Sequence, residues 1–278
     1  MRALRVDPID GRTWELSDHL EWKGTIGHGD SMMGLNVAHM MASLLKTEVH
    51  MDVHWYHDKD YLFHSKDPET IVERFDFIKS KYYNEHMVKV NHIFNSNEKD
   101  IQNIRFRGFI EDKKPRGQVI NGLNSWVFSD PTETSNNVVI WKPFNNATAP
   151  QKWKLSFNQK NWELIEKHYL TKKHRYNVVE LDYRTPVSEA YEEIKKCKFV
   201  VCYDGMWHYI TRNFCKPAIV VGNQGVIAAH NPQAILFKKP TDHGGFEKLF
   251  KNKETLEKEL VNKADKYRKK MMRHINEN

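Results

Sequence analysis

The residues best suited to chemistry in this sequence lie in a glycine-rich stretch, GTIGHGDSMMGL, at positions 24–35. Gly27 and Gly29 flank a histidine and are followed by Asp30 and Ser31, just before an apolar run. A carboxylate here can accept the proton of a hydroxyl group that attacks a sugar carbon, whereas a serine can attack an ester. Glycines can also simply form a turn between a strand and a helix. Three interpretations follow: a general base at Asp30 with glycines that allow close backbone approach, a nucleophile at Ser31, or a plain turn.

The nucleophile interpretation depends on a base for Ser31. The letters GDS resemble the nucleophile block of GDS-type lipases and esterases, which place an aspartate and a histidine near the carboxyl terminus with two residues between them. In this chain three residues separate Asp204 from His208. A serine nucleophile needs its base within hydrogen-bond reach, so the sequence favours Asp30 over Ser31.

The second half of the chain adds polar residues that follow apolar, strand-like runs. Lys142 follows one run, and Lys152-Trp153 come after a polar loop. Asp204, Gly205 and His208 lie where a second run gives way to a helix pattern. A glycine turn and a helix amino terminus can hold a diphosphate, and we expect these residues to meet at one edge of a sheet.

Strand and helix patterns alternate along the chain, which is typical of an α/β fold with parallel strands. Strict alternation puts Val49, Met51, Val53 and Trp55 on one face of a strand, and Thr185 is the expected cap of a helix with Pro186 at its first position. The predicted strands cover residues 3–6, 20–26, 48–57, 136–143, 176–181, 198–205 and 217–225, and the predicted helices cover residues 33–44, 67–83, 161–170, 185–197, 206–216 and 246–278. A polar segment near 130–137 predicts two domains, 1–133 and 134–278, with a cleft between them.

The order of these motifs resembles the heptosyltransferase-like group of GT-B glycosyltransferases. The counterparts here are Gly29-Asp30, Lys152-Trp153, Gly205-Met206-Trp207-His208 and Lys216-Pro217, and the family's D-[ST]-G becomes Tyr203-Asp204-Gly205. The resemblance implies two Rossmann-like domains, an amino-terminal one for the acceptor and a carboxyl-terminal one for the nucleotide-sugar, with a closing carboxyl-terminal helix.

The same resemblance implies metal-independent, inverting sugar transfer without any cofactor besides the nucleotide-sugar, which we expect to be UDP-linked. It implies that Asp30 is the acceptor base and that Glu189 approaches the donor nucleoside. The donor diphosphate would then be bound by Lys152, Asp204, Gly205 and His208.

The acceptor is predicted from charge. The stretch NIRFRGFIEDKKPRGQ interleaves aromatic residues with cations that can grip a polyphosphate backbone, namely Arg105, Arg107, Lys113, Lys114 and Arg116. The basic character resembles DNA-modifying glycosyltransferases of phages, which favours a hydroxymethylated pyrimidine in DNA as acceptor. Envelope saccharides, the usual acceptors of the family, remain the alternative, and a non-enzymatic nucleic-acid binding module is a further one.

Bulk composition limits the class of protein. The 278 residues are 40% hydrophobic and carry a net charge of +7, which is typical of a globular protein with an anionic partner. No run is long and apolar enough for a membrane span, and the amino terminus lacks a secretory signal. Three cysteines without metal-type spacing predict buried thiols and a cytoplasmic location, the host cytoplasm if a phage encodes the chain. His50, Asp52 and His54 alternate along one strand, but alternation alone explains them and we expect no metal.

Overall fold

The computed structural model describes residues 3–6, 13–25, 31, 34–35, 38–39, 41–42, 45–56, 68–82, 87–95, 135–142, 162–182, 185–203, 206–221, 233–237 and 247–276. Two compact units make up the chain, one formed by Met1–Phe128 with Arg273–Asn278 and the other by Ser129–Met272. Each contains a parallel sheet. The fold is therefore α/β with parallel strands, which confirms that part of the sequence prediction.

The first unit contains a two-stranded pair and a three-stranded sheet. Strands β1 (Ala3–Val6) and β2 (Thr13–Leu16) pair antiparallel. Strands β3 (His19–Thr25), β4 (Val49–Tyr56) and β5 (Val88–Asn95) pair in parallel in the order β3-β4-β5. Helix α1 (Pro68–Tyr82) connects β4 to β5. Parallel neighbours require such crossover connections.

Strand β4 has the predicted two-faced character. Val49, Met51 and Val53 are fully buried and Trp55 is 3% exposed. Trp55 meets Phe75 of α1 edge-on, with ring centroids 6.2 Å apart, so α1 covers this face. Burial on one face fixes the register of the strand.

The residues described between 31 and 45 are helical and lie against the sheet. Leu35, Ala38, Met41 and Ala42 are fully buried. A Cβ atom added to Gly34 would lie 2.5 Å from Met51 Cε and 2.6 Å from Trp22 Cγ. Gly34, the last glycine of the stretch 24–35, is thus required by helix-on-sheet packing.

The second unit is built on five parallel strands. Their bounds are β6 (Asn137–Trp141), β7 (Asn177–Leu181), β8 (Phe199–Tyr203), β9 (Ala218–Val221) and β10 (Ala234–Phe237). Their order in the sheet is β10-β9-β8-β6-β7. Strands β6, β8 and β9 are nearly continuous apolar runs, as expected when both faces of a parallel sheet are covered.

Helices of the second unit are α2 (Leu164–Lys173, with π-type hydrogen bonds), α3 (Val187–Lys196), α4 (Met206–Asn213) and most of α5 (Lys253–Asn276), which belongs to this unit as far as Met272. On one face of the sheet, Ile140 and Val201 belong to a core that includes Ile165 of α2 and Leu260 of α5. Cys197, Cys202 and Cys215 are buried free thiols, which confirms the prediction of buried thiols. Within the described ranges, no helix is long and apolar enough to cross a membrane.

Several boundaries differ from the sequence prediction. Strands β2, β5 and β10 were not predicted, and the carboxyl-terminal helix begins only at Lys253, where Asn252 Oδ1 accepts a hydrogen bond from the Thr255 N–H at 3.0 Å. Thr185 does not cap α3, because Pro186 is the N-cap residue and forms no side-chain cap. The Thr185 hydroxyl instead accepts a hydrogen bond from the Asp182 N–H at 3.0 Å, which holds the turn between β7 and α3.

Candidate functional site

The carboxyl edge of the second sheet is the candidate site. The chain passes from β6 to β7 on one side and then crosses to β8 on the other side of β6. The strand order therefore reverses between β6 and β8, and ligands of open α/β sheets bind outside the carboxyl ends of the strands at such a switch point. Trp141 ends β6 and Tyr203 ends β8.

Aromatic side chains form the floor of this edge. Trp141 stacks on Tyr203 with ring centroids 6.2 Å apart, and Trp207 of α4 lies 5.4 Å from Trp141. Trp141 and Trp207 are each 4% exposed. Because the two indole rings are buried, they support the edge and offer little free surface for stacking a ligand, whereas Tyr203 is partly exposed.

Lys142, directly after β6, is held between two carboxylates. Its Nζ lies 2.8 Å from Glu166 Oε2 on α2 and 2.9 Å from Glu180 Oε2 on β7. Burial, the largest single influence, lowers the pKa of Lys142, but the hydrogen bonds and charges of Glu166 and Glu180 together outweigh it and raise that pKa. Lys142 therefore stays protonated, and its positive charge is balanced by two carboxylates. These contacts connect β6, α2 and β7.

His208 lies in the first turn of α4, at the carboxyl end of β8. Its side chain is fully buried. The first N–H groups of a helix have no partners within the helix and favour anions. The helix start and the imidazole are thus next to the switch point, with the imidazole on the buried side of α4.

Glu189 lies in the first turn of α3 and is exposed. Helix α3 follows β7, so its amino terminus is at the same carboxyl edge as the amino terminus of α4. Of the residues predicted to form the donor site, Glu189 and His208 are the two that the structure describes, and both belong to this edge.

The other predicted site residues lie outside the described residues. In the first unit they are Gly27, Gly29, Asp30, Arg105, Arg107, Lys113, Lys114 and Arg116, and in the second unit they are Lys152, Asp204 and Gly205. Along the chain, Gly27 to Asp30 follow the carboxyl end of β3, and Asp204-Gly205 link β8 to α4. Their roles stay predictions.

Ser31 is helical and fully buried. A hydroxyl group in this position is not accessible to an ester substrate. The burial argues against Ser31 as a hydrolase nucleophile, because a nucleophile has to reach the carbonyl carbon of its substrate.

Lys216, the lysine of the Lys-Pro counterpart, has a structural contact. It is fully buried, and its Nζ donates a hydrogen bond to the Cys197 carbonyl oxygen at 2.7 Å. Burial lowers the pKa of Lys216. The contact joins Lys216, two residues before β9, to the carboxyl end of α3, at the edge of the sheet opposite to the switch point.

Two of the alternating residues of β4, His50 and Asp52, contact polar side chains nearby. Asp52 Oδ1 accepts a hydrogen bond from Asn91 Nδ2 at 3.1 Å, and His19 Nε2 lies 3.4 Å from Asp52 Oδ2. His50 Nε2 lies 3.1 Å from Glu48 Oε1. Among the residues that the structure describes, no group of three or more ligating side chains could hold a metal ion.

The sequence alone did not single out the glutamates that hold Lys142 or the aromatic cluster. Four different elements supply these side chains, and only strand pairing and helix packing bring them to their partners. Glu166 and Glu180 contact Lys142, and Tyr203 and Trp207 contact Trp141. One signal was available: a lysine that ends an otherwise apolar strand requires a counter-charge nearby.

Comparisons with protein-family models, curated proteins and solved structures gave no match to this chain.

Proposed function

We propose that this chain is a GT-B glycosyltransferase that moves a sugar from a nucleotide-sugar donor to a hydroxyl group. The observation that carries the proposal is the topology of the second unit, an all-parallel sheet whose strand order reverses between β6 and β8. Sheets of this kind bind phosphorylated ligands at the carboxyl ends of their strands. In this chain Asp204-Gly205 and then the start of α4 follow β8 in the sequence.

The donor diphosphate is assigned to the segment between β8 and α4. Gly205 permits close backbone approach, and Asp204 and His208 flank it. Lys152, the lysine of the Lys152-Trp153 counterpart, is assigned to the diphosphate by the family resemblance, and Lys142 is already held by two carboxylates. Glu189, exposed in the first turn of α3, is assigned to the donor nucleoside.

The proposed step is a single displacement. The acceptor hydroxyl oxygen attacks the anomeric carbon while the bond from that carbon to the diphosphate oxygen breaks, and Asp30 takes the hydroxyl proton. Lys152 and the first backbone N–H groups of α4, among them that of His208, stabilise the charge that develops on the diphosphate, a contribution that electrostatics can make without a metal. Attack from the face opposite to the leaving group inverts the anomeric centre.

The proposed acceptor is a hydroxymethylated pyrimidine in DNA. The cations assigned to the DNA backbone are Arg105, Arg107, Lys113, Lys114 and Arg116. A base in a duplex has to leave the stack before an enzyme can reach its hydroxymethyl group. Aromatic residues among these cations suit an unstacked base.

The test incubates the purified protein with UDP-, GDP- or ADP-linked sugars and DNA with or without hydroxymethylated pyrimidines. Mass spectrometry of the digested nucleosides measures the product. We expect a mass gain of one sugar residue that requires the hydroxymethyl group and falls by about 100-fold or more in Asp30→Asn, since general-base catalysis contributes about 10²–10⁴ in rate.

Ser31→Ala is the matched control, because it changes the adjacent residue and removes the hydrolase nucleophile. Its transferase activity should exceed that of Asp30→Asn by at least about tenfold. Transfer to envelope saccharides but not to DNA would change the acceptor and keep the enzyme class. Nucleic-acid binding with no turnover of any donor, unaffected by Asp30→Asn, would overturn the enzyme in favour of a binding module.

A further inference from the structure

The amino edge of the second sheet carries a concentration of positive charge. Four segments of the chain meet there. They are the start of β6, the link from α2 to β7, the link from α3 to β8, and the start of α5. We call this surface the basic amino edge. Its cationic side chains are Lys172, Lys173, Arg175, Lys195, Lys196, Lys198, Lys251 and Lys253.

Hydrogen bonds hold these segments together. Asn136 Nδ2 donates to the Arg175 carbonyl oxygen at 3.3 Å, and the Ser135 N–H donates to the Lys196 carbonyl oxygen at 2.9 Å. Lys253 Nζ donates to the His174 carbonyl oxygen at 2.9 Å. The segments that bear the charges are thus adjacent on one fixed framework, so little order has to be gained when a ligand binds.

Two of the cations help to build that framework. Lys253 Nζ also lies 4.2 Å from the centroid of the Tyr176 ring, and Lys198 Nζ lies 2.7 Å from Glu257 Oε2. Glu257 accepts a further hydrogen bond from the Tyr176 hydroxyl at 2.6 Å. Glu257 is therefore engaged within the edge.

The exposed side chains are strongly unbalanced in charge. Five of the cations are exposed, namely Lys172, Lys173, Arg175, Lys196 and Lys251. Of the adjoining carboxylates, Glu254 is exposed, whereas Glu192, Glu193 and Glu257 are partly buried. Glu192 lies 3.8 Å from Lys196 Nζ. Such an excess attracts a polyanion, since each contact with a phosphate releases a condensed counterion.

The number of exposed apolar residues distinguishes between an anionic membrane and nucleic acid as the partner. A surface that docks on an anionic membrane needs apolar side chains that enter the bilayer interface. Among the described residues, the large hydrophobic side chain that is exposed is Val261, two turns beyond the start of α5. The basic amino edge is thus charged without apolar anchors, which fits a phosphate backbone in water.

We propose that the basic amino edge binds the phosphate backbone of nucleic acid without sequence preference. The surface is at the edge opposite to the switch point, so a nucleic acid bound there leaves the carboxyl edge of the same sheet free. The proposal does not depend on glycosyltransferase activity. It adds a second nucleic-acid surface to the stretch around Arg105.

The test measures the binding of a labelled DNA duplex of random sequence to the full chain by fluorescence anisotropy over a series of salt concentrations. The variant K172Q/K173Q/R175N removes three exposed cations, with asparagine chosen at position 175 because Arg175 has a φ of 56° and asparagine tolerates that region. We expect affinity to fall by about tenfold or more at about 0.1 M salt. The slope of log affinity against log salt should shrink by about 2 to 3.

K167Q/K266Q/K269Q is the matched control, because it removes three exposed lysines of the same unit outside the edge. It should change affinity by no more than about twofold. The variant K196Q/K251Q alters two other segments of the edge and should weaken binding in the same direction, which guards against a folding defect in the first variant.

Three outcomes would overturn the proposal. One is an unmodified protein that binds no DNA. Another is an equal loss of affinity in the control and edge variants, which would assign binding to net charge alone. The last is binding to phosphatidylserine vesicles with no binding to DNA, which would assign the edge to membrane surfaces.

Discussion

At the scale of single residues, Gly34 shows why one glycine of the stretch 24–35 has a structural role. The helical residues after it lie directly on β3 and β4, and the side chains beneath it are Trp22 and Met51. Both are buried, so neither can move into solvent. A side chain at position 34 would have to displace an indole ring, which is rigid, as well as a flexible methionine end.

Gly34→Ala should therefore destabilise the protein by about 1 to 2 kcal/mol. Overpacking a buried contact costs about 1 to 3 kcal/mol, and the better helix propensity of alanine offsets at most about 1 kcal/mol of that. Urea unfolding followed by circular dichroism measures the change. Gly34→Val should cost more, since its extra methyl groups enter the same space.

A double-mutant cycle with Trp22→Leu tests the cause of that loss. If the indole ring is the obstacle, Gly34→Ala should cost less in the Trp22→Leu background than in the natural chain, with a coupling of about 0.5 kcal/mol or more. Equal costs in both backgrounds, or a gain in stability from Gly34→Ala alone, would contradict the packing explanation.

At the scale of secondary-structure elements, Lys142 joins β6, α2 and β7. Its Nζ bridges Glu166 and Glu180, and its side chain is 14% exposed. Exposed ion pairs contribute little to stability, but removal of one partner from a mostly buried group leaves the other charges uncompensated. The packing of β6, α2 and β7 at the carboxyl edge of the sheet therefore depends on this lysine.

Lys142→Met should lower the free energy of unfolding by about 1 to 3 kcal/mol, because two carboxylates are then left close together without a cation. Chemical denaturation at neutral pH measures the loss. The second change in Lys142→Met/Glu180→Gln removes that repulsion and should restore part of the stability. Lys167→Met, at an exposed lysine 3.9 Å from Glu163, is the control and should change stability by less than about 0.5 kcal/mol.

Elements with strong local patterns could be predicted from the sequence. The alternation of β4 and the apolar spacing of α3, where Val187, Ala190, Tyr191 and Ile194 are buried, identify both elements and their inner faces. Strand β10 has only four residues, too few for a period to emerge. The residues of β5 lie in a stretch that reads as basic and turn-rich, and α2 gives no local sign of its π-type hydrogen bonds.

The candidate site was predictable only in part, for a physical reason. The carboxyl edge can be located from chain order alone, because a strand pattern is followed by Asp204-Gly205 and then by a helix pattern. The pairing of Lys142 with Glu166 and Glu180 depends on which strands are neighbours, because β7 adds beside β6 before the chain crosses to β8. Neighbour order is a property of the whole sheet, so no local pattern of these residues reveals it.

At the scale of the whole molecule, histidines with buried or partly buried side chains occur in both units. In the first unit, burial lowers the pKa of His39 to about 4. Burial is also the main cause of the lowered pKa of His92, against the opposing influence of Asp76. In the second unit, burial lowers the pKa of His174, although its Nε2 lies 2.9 Å from the Phe250 carbonyl oxygen. All three imidazole rings therefore bind a proton more readily in the unfolded chain than in the folded protein.

Mild acid should consequently destabilise the protein. The folded pKa of each histidine lies below its unfolded value of about 6.5, so its stabilising contribution is complete above that pH and is lost as pH falls towards the folded value. Between pH 7.5 and 5.5 we expect the free energy of unfolding to fall by about 1 to 3 kcal/mol, at about 1.4 kcal/mol per pKa unit. The net charge of +7 grows over the same range and acts in the same direction.

The matched variants for this prediction are His92→Gln and His50→Gln. His92 Nδ1 accepts a hydrogen bond from Trp55 Nε1 at 2.8 Å, and protonation of that nitrogen would break the bond, whereas glutamine can still accept it. The His50 side chain is 58% exposed. Urea midpoints followed by tryptophan fluorescence at several pH values should show a flatter pH dependence in His92→Gln and an unchanged one in His50→Gln. Stability that is constant or rises on acidification of the natural chain would contradict the proposed role of the buried histidines, because protons would then favour the folded state.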